Sequence, residues 1–131
     1  MIKALKVTMI VWGVLHIVLG LAFIFIPQQL GEMFGYTAEG PEYMLSFLAS
    51  LGIAMIAPAV FVIVAARDPV KHILWVKFAI LFAVLTLVVE LYSVIQGYVT
   101  FGQAAMSIIA PAVFIAALLV FYPYKAAKGS G

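Results

Sequence analysis

Four largely apolar runs dominate the chain, at residues 5–26, 41–66, 69–96 and 104–122. Each is long enough to cross a bilayer, which takes about 20 residues per helix. In hydrocarbon every backbone N–H and C=O must find its partner within the protein, so runs of this kind fold as helices. The punctuation between them agrees with that reading. Pro27 stops the first run, and Gly40-Pro41-Glu42 opens the second with proline in the first turn and a carboxylate at the positive end of the dipole. Asp68 suits the cap of the third, with Pro69 in its first turn, and Pro123 ends the fourth. A soluble domain has no interior large enough for this composition, which is 67% hydrophobic over 131 residues. The expected fold is an all-α membrane protein, a single four-transmembrane-helix bundle over residues 1–128. Gly129-Ser130-Gly131 reads as an appended linker, and the first run as a retained helix, because no small-residue cleavage site follows it.

Charge sets the expected orientation. Lys3, Lys6, Arg67, Lys71, Lys77, Lys125 and Lys128 are all the basic residues, and this topology puts all of them on one side. Glu32, Glu39 and Glu42 fall on the other. The positive-inside rule then places both termini and the middle loop in the cytoplasm, with the cytoplasmic membrane of a prokaryote as the expected location. Basic residues scattered over helix ends make no phosphate-binding patch, so nucleic acid is not an expected partner. The chain has no cysteine, which removes disulfides and thiolate metal sites. Trp12, Trp75, Tyr43, Tyr98, Tyr122 and Tyr124 fall toward the ends of the runs, where an aromatic belt is expected.

Ile56-Ala57-Pro58-Ala59-Val60-Phe61 recurs as Ile109-Ala110-Pro111-Ala112-Val113-Phe114. A weaker match aligns Val14–Leu21 with Val84–Leu91. Together they predict two parallel helical-hairpin repeats related by an axis along the membrane normal. Each repeated proline removes one helical hydrogen bond, freeing carbonyls near Ala54 and Ser107.

Glu90 is the one carboxylate within the third run's apolar stretch. A charged carboxylate near a bilayer centre costs about 2.5–3.5 kcal/mol on insertion scales, so it should turn away from lipid. It lies on a stripe of polar and small residues, Ala79, Ala83, Thr86, Glu90, Ser93 and Gly97, whose spacing of three and four puts them on one helical face. Gly13, His16 and Gly20 make a stripe on the first helix, Ser46, Ser50 and Ala54 on the second, and Gln103, Ser107 and Pro111 on the fourth. The repeat alignment sets His16 level with Thr86, one turn (about 6 Å) from Glu90. Three readings follow: a satisfied Glu90–His16 pair or a neutral Glu90, a ligand pocket open to the outside, or a face for another subunit. His72 reads as an interfacial residue, and the six methionines as core filling.

In size and helix number the chain resembles small four-helix membrane families, among them small multidrug transporters, fluoride channels and DoxX-type proteins. The resemblance is one of architecture. Small multidrug transporters carry their essential glutamate in the first helix, where this chain has His16 and Gly20. The leading functional expectation is binding or transport of a small cationic, protonatable or amphipathic ligand, with Glu90 as the charged group and His16 its partner. Thr86, Ser50, Gln103 and Ser107 are the expected neutral lining. The alternative is an accessory or assembly subunit that docks in a homo-oligomer or larger membrane complex. An enzyme ranks third, since there is no nucleophile with a partner and no metal or cofactor motif.

Overall fold

The computed structural model describes residues 2–27, 29, 42–97 and 100–125, with residues 42–47 and 103 described by backbone alone. The described chain is helical: α1 (Ile2–Phe25), α2 (Glu42–Ala65), α3 (Ile73–Ile95) and α4 (Phe101–Val120). Three helices are long and apolar enough to cross a membrane: α1, α2 through its Leu48–Ala65 portion, and α3. The apolar portion of α4, Ala104–Val120, is shorter. The chain is a small multi-pass membrane protein whose exposed aliphatic faces, such as Val84, Val88 and Val89 on α3, meet lipid.

The turn before α3 differs from expectation. Asp68 does not cap the helix. Its Oδ1 accepts the Lys71 N–H at 3.3 Å, and its carbonyl accepts the His72 N–H at 3.1 Å. These bonds close a separate turn, with Pro69 fully buried inside it, and α3 starts four residues later at Ile73. Asparate-type side chains favour such local turns as readily as helix caps. At the other end of α3, Gly97 adopts φ of 77°, and its N–H bonds the Val94 carbonyl at 3.1 Å. That left-handed conformation, cheap only for glycine, turns the chain toward α4.

The helices pair as two hairpins, α1 with α2 and α3 with α4, and lesser contacts between α1 and α4 and between α2 and α3 join them. The α1–α2 seam is the closest because it is made of backbone. A Cβ built on Gly20 would lie 2.6 Å from the Gly52 carbonyl oxygen, and one on Gly52 would strike the Gly20 carbonyl oxygen. Small residues give membrane helices this approach, and dispersion across it replaces the hydrophobic force that lipid does not supply. The expectation that another helix sits close at Gly20 is met by α2.

The packed core lies toward the end that carries the termini and the basic residues. Leu5, Met9 and Trp12 of α1 pack there with Ala59 and Val62 of α2, Val76 and Ala79 of α3, and Leu118 of α4. Toward the opposite end, buried side chains are fewer among the described residues, and α3 is the least buried of the three long helices. Trp12 therefore departs from the belt expectation: it is 1% exposed and part of the core. With α1 starting at Ile2 rather than residue 5, Trp12 lies ten residues into the helix, about 15 Å from its start. Tyr43 and Tyr98 fall outside the described side chains.

The two copies of the Ala-Pro-Ala motif bury different faces. In α2 Ala59 is buried and Pro58 half-buried, whereas in α4 Pro111 is buried and Ala112 exposed. Both helices run through their proline.

The backbone seam predicts that Gly20→Ala destabilises the protein by about 1–3 kcal/mol, the range for overpacking a tight contact. Gly102→Ala, whose Cβ would meet only Thr100 Oγ1 at 4.0 Å, should leave stability within about 0.5 kcal/mol of wild type. Thermal unfolding of the two variants in matched detergent measures the difference.

Candidate functional site

The inward stripe of α3 is where the sequence pattern places it, and its character changes along the helix. Ala79 and Ala83 are buried, Thr86, Glu90 and Ser93 are half-buried, and Gly97 is exposed in the turn. The two hydroxyls are tied to their own helix. Thr86 Oγ1 donates to the Phe82 carbonyl at 2.8 Å, and Ser93 Oγ donates to the Val89 carbonyl at 2.9 Å. Back-bonding of this kind satisfies a hydroxyl proton in an apolar setting and leaves the oxygen lone pairs facing outward. Glu90 sits between them, one turn from each, with no hydrogen bond to another described residue. Among the described residues no buried side-chain nitrogen or oxygen lacks a partner, so the Glu90 carboxylate is one that reaches the protein surface.

Ser107 lies on the buried stripe of α4 that also holds Ala104, Pro111 and Leu118. It is six residues past the start of α4, and Glu90 is six residues before the Gln96 that ends α3, so the two share a height in the hairpin. Pro111 has no N–H, so the Ser107 carbonyl lacks its helical donor. Thr86, Glu90 and Ser93 thus offer oxygen acceptors along one face of α3, and the Ser107 carbonyl offers another on α4, toward the end where fewer of the described side chains are buried.

His16 is elsewhere. Its ring stacks on Trp12 at 4.1 Å and meets the edge of Phe82 at 5.4 Å. Nδ1 is 2.7 Å from the Trp12 carbonyl. A carbonyl oxygen only accepts, so Nδ1 carries the proton. Contact with Phe82 sets His16 level with Phe82 and not with Thr86, because the real offset between the parallel helices α1 and α3 is smaller than the repeat alignment implied. Glu90 lies eight residues beyond Phe82 on α3, about 12 Å farther along the axis. The expected Glu90–His16 pair is therefore not formed. His16 instead belongs to an aromatic layer with Trp12, Phe78 and Phe82, in which Trp12 meets Phe82 edge-on at 5.6 Å and Phe78 at 6.4 Å.

Ser50 is exposed, two residues from the buried Gly52. Two residues turn a helix by about 200°, so Ser50 and Gly52 occupy opposite faces of α2. Glu90 and Thr86 share one face of α3, the count from the helix ends sets Ser107 at a similar height on α4, and His16 lies in the aromatic layer. Ser50 is exposed on the face of α2 whose Phe61, eleven residues on, stacks on Trp75 of α3 at 5.2 Å. The Gln103 side chain falls outside the described residues. The contribution of Ser93 was visible in the stripe, but its hydroxyl was not counted among the lining.

The aromatic layer predicts that Trp12→Ala lowers stability by about 3–5 kcal/mol, as for other buried aromatic truncations. His16→Phe, which keeps a ring against Trp12 and Phe82, should change stability by less than about 1.5 kcal/mol. Equal losses in thermal unfolding would contradict the layer as the role of His16. Comparison of the chain with protein-family models, characterised proteins and solved structures finds no match in any of the three.

Proposed function

We propose that this protein crosses the membrane four times, with its basic end in the cytoplasm, and binds a small cationic or protonatable amphipathic ligand at Glu90. The observation that carries the reading is a half-buried carboxylate on the inward stripe of α3 that makes no bond to another described residue. A carboxylate at membrane depth is strongly favoured to acquire a counter-charge or a donor. Its polar neighbours one turn away on α3 supply acceptors, since Thr86 and Ser93 have committed their protons to Phe82 and Val89. A region rich in acceptors selects a ligand rich in donors or positive charge. Ser107 and Gln103 on α4 complete the proposed lining, and the aromatic layer of Trp12, His16 and Phe82 forms its floor. Two parallel hairpin repeats remain the proposed origin of the architecture, carried by the repeated Ile-Ala-Pro-Ala-Val-Phe segment.

A second reading has its own support. Around Glu90, α3 exposes Leu85, Val89, Leu91 and Tyr92. A transmembrane helix of another subunit, carrying a cationic or donor side chain, would satisfy the same carboxylate and cover that surface.

Tetraphenylphosphonium, a lipophilic cation, separates the readings. At a hundredfold excess over its Kd a ligand stabilises the folded state by about 2.7 kcal/mol. Wild-type protein in lipid nanodiscs should show that gain in its unfolding transition, and Glu90→Gln should lose it. A shift that survives Glu90→Gln, or no shift in either protein, would remove Glu90 as the binding group. Co-purification of a specific membrane partner that is lost in Glu90→Gln would establish the subunit reading in its place.

A further inference from the structure

The basic end of the α3–α4 hairpin carries a second feature, independent of Glu90. A groove of about 420 Å³ runs along its outer surface, within the size range of sites that hold one small molecule. Lys77, Tyr122 and Tyr124 supply its polar lining, and Ile80, Leu81, Val84 and Leu119 its apolar lining. These groups are sorted by depth. Lys77 lies one turn inside the start of α3, and Val84 is seven residues farther along, about 10 Å deeper. On the antiparallel α4, Leu119 lies deeper than Tyr122 and Tyr124. The groove wall is therefore almost wholly apolar, with Lys77 and the two tyrosines at its membrane-surface end.

Its charge is one-signed. Lys77 is exposed and no carboxylate lines the groove. Asp68 is engaged with the Lys71 and His72 amides. Glu90 is thirteen residues away along α3, about 20 Å. The Tyr124 hydroxyl donates to the Leu119 carbonyl at 3.1 Å, and the Tyr122 and Tyr124 rings meet at 4.8 Å, which fixes Tyr124 beside the groove mouth. Lys77 and Tyr122 are then the other two lining residues at that end whose side chains carry a donor.

We propose that this groove is a binding site for one anionic phospholipid of the leaflet at the basic end. The phosphate sits at Lys77 and Tyr122, and an acyl chain lies along Leu81, Val84 and Leu119. The charge of Lys77 chooses an anionic headgroup, and the long apolar wall below it chooses a lipid standing in the leaflet over a soluble anion. Lysines just inside a membrane surface attract anionic lipid in this way.

Native mass spectrometry of the full chain, released from nanodiscs of equal phosphatidylglycerol and phosphatidylcholine, tests the site. Wild type should retain one phosphatidylglycerol in preference to phosphatidylcholine. Lys77→Gln should lower that preference about fivefold, and Lys77→Arg should restore it. Lys71→Gln, which removes a charge at the same end outside the groove, should leave it unchanged. Leu81→Trp, which fills the groove, should reduce retention of both lipids. Equal retention of the two lipids by wild type would overturn the proposal. So would a Lys77→Gln variant that binds as wild type does, a Lys71→Gln variant that loses as much as Lys77→Gln, or a lipid-free dimer that buries the groove.

Discussion

Lipid solvates leucine as well as another leucine does, so helices in a bilayer are held by how closely they approach and not by escape from solvent. In this chain that condition is best met at one seam. The carbonyl oxygens of Gly20 and Gly52 each occupy the space where a side chain on the other would stand. The α1–α2 hairpin is thereby the tight half of the molecule. Among the described residues the α3–α4 hairpin shows no comparable glycine seam, and it is joined to the first chiefly at the basic end, through Trp12, Val62, Val76, Ala79 and Leu118. The asymmetry between the ends of the bundle follows from where these contacts fall. The opposite end of α3 is left with half-buried polar groups on its inner face and aliphatic ones on its outer face.

The polar groups within the spans are handled in two ways. Thr8, Thr86 and Ser93 each bond the carbonyl four residues back, at 2.8, 2.8 and 2.9 Å, so their protons are satisfied without a second helix. His16 does the same through Nδ1 and places its ring among aromatics. These residues are internally resolved, and each accounts for itself without a ligand. Glu90 makes no such bond, and in its ionised form it has no proton to give to a helical carbonyl. That chemical difference, more than its position, separates it from every other polar residue in α3.

Much of the architecture was legible in the order of residues. Run length, proline and glycine punctuation, and the three-and-four stripe on α3 are local signals, and the helices and the inward direction of Ala79, Ala83, Thr86 and Glu90 follow from them. What local signals do not carry is the axial offset between helices distant in sequence. The repeat alignment put His16 beside Thr86, but the offset is set by how Trp12 and Phe82 interlock, and large rings at that contact shift the register by about a turn. Contacts between helices likewise decide which face of α2 is most deeply buried, the one on which Gly52 and Ala59 meet α1. Identical Ala-Pro-Ala segments bury different faces for that reason too: each answers to its own neighbours.

The packing gradient bears on what a site at Glu90 can do. Local opening costs least where buried contacts are sparse and most where they are dense. The dense layer of Trp12, Phe78 and Phe82 fixes the two hairpins at mid-depth and toward the basic end, and fewer of the described side chains beyond it are buried. Separation of α3–α4 from α1–α2 at the far end would break few side-chain contacts among the described residues, whereas separation at the basic end would unpack the core. Under the proposed reading a ligand at Glu90 would enter where fewer of the described side chains are buried, and the aromatic layer would stand between it and the basic end. For the same packing to carry a ligand across the membrane, Trp12 and Phe82 would have to part, and that step, not access to the carboxylate, would set the barrier.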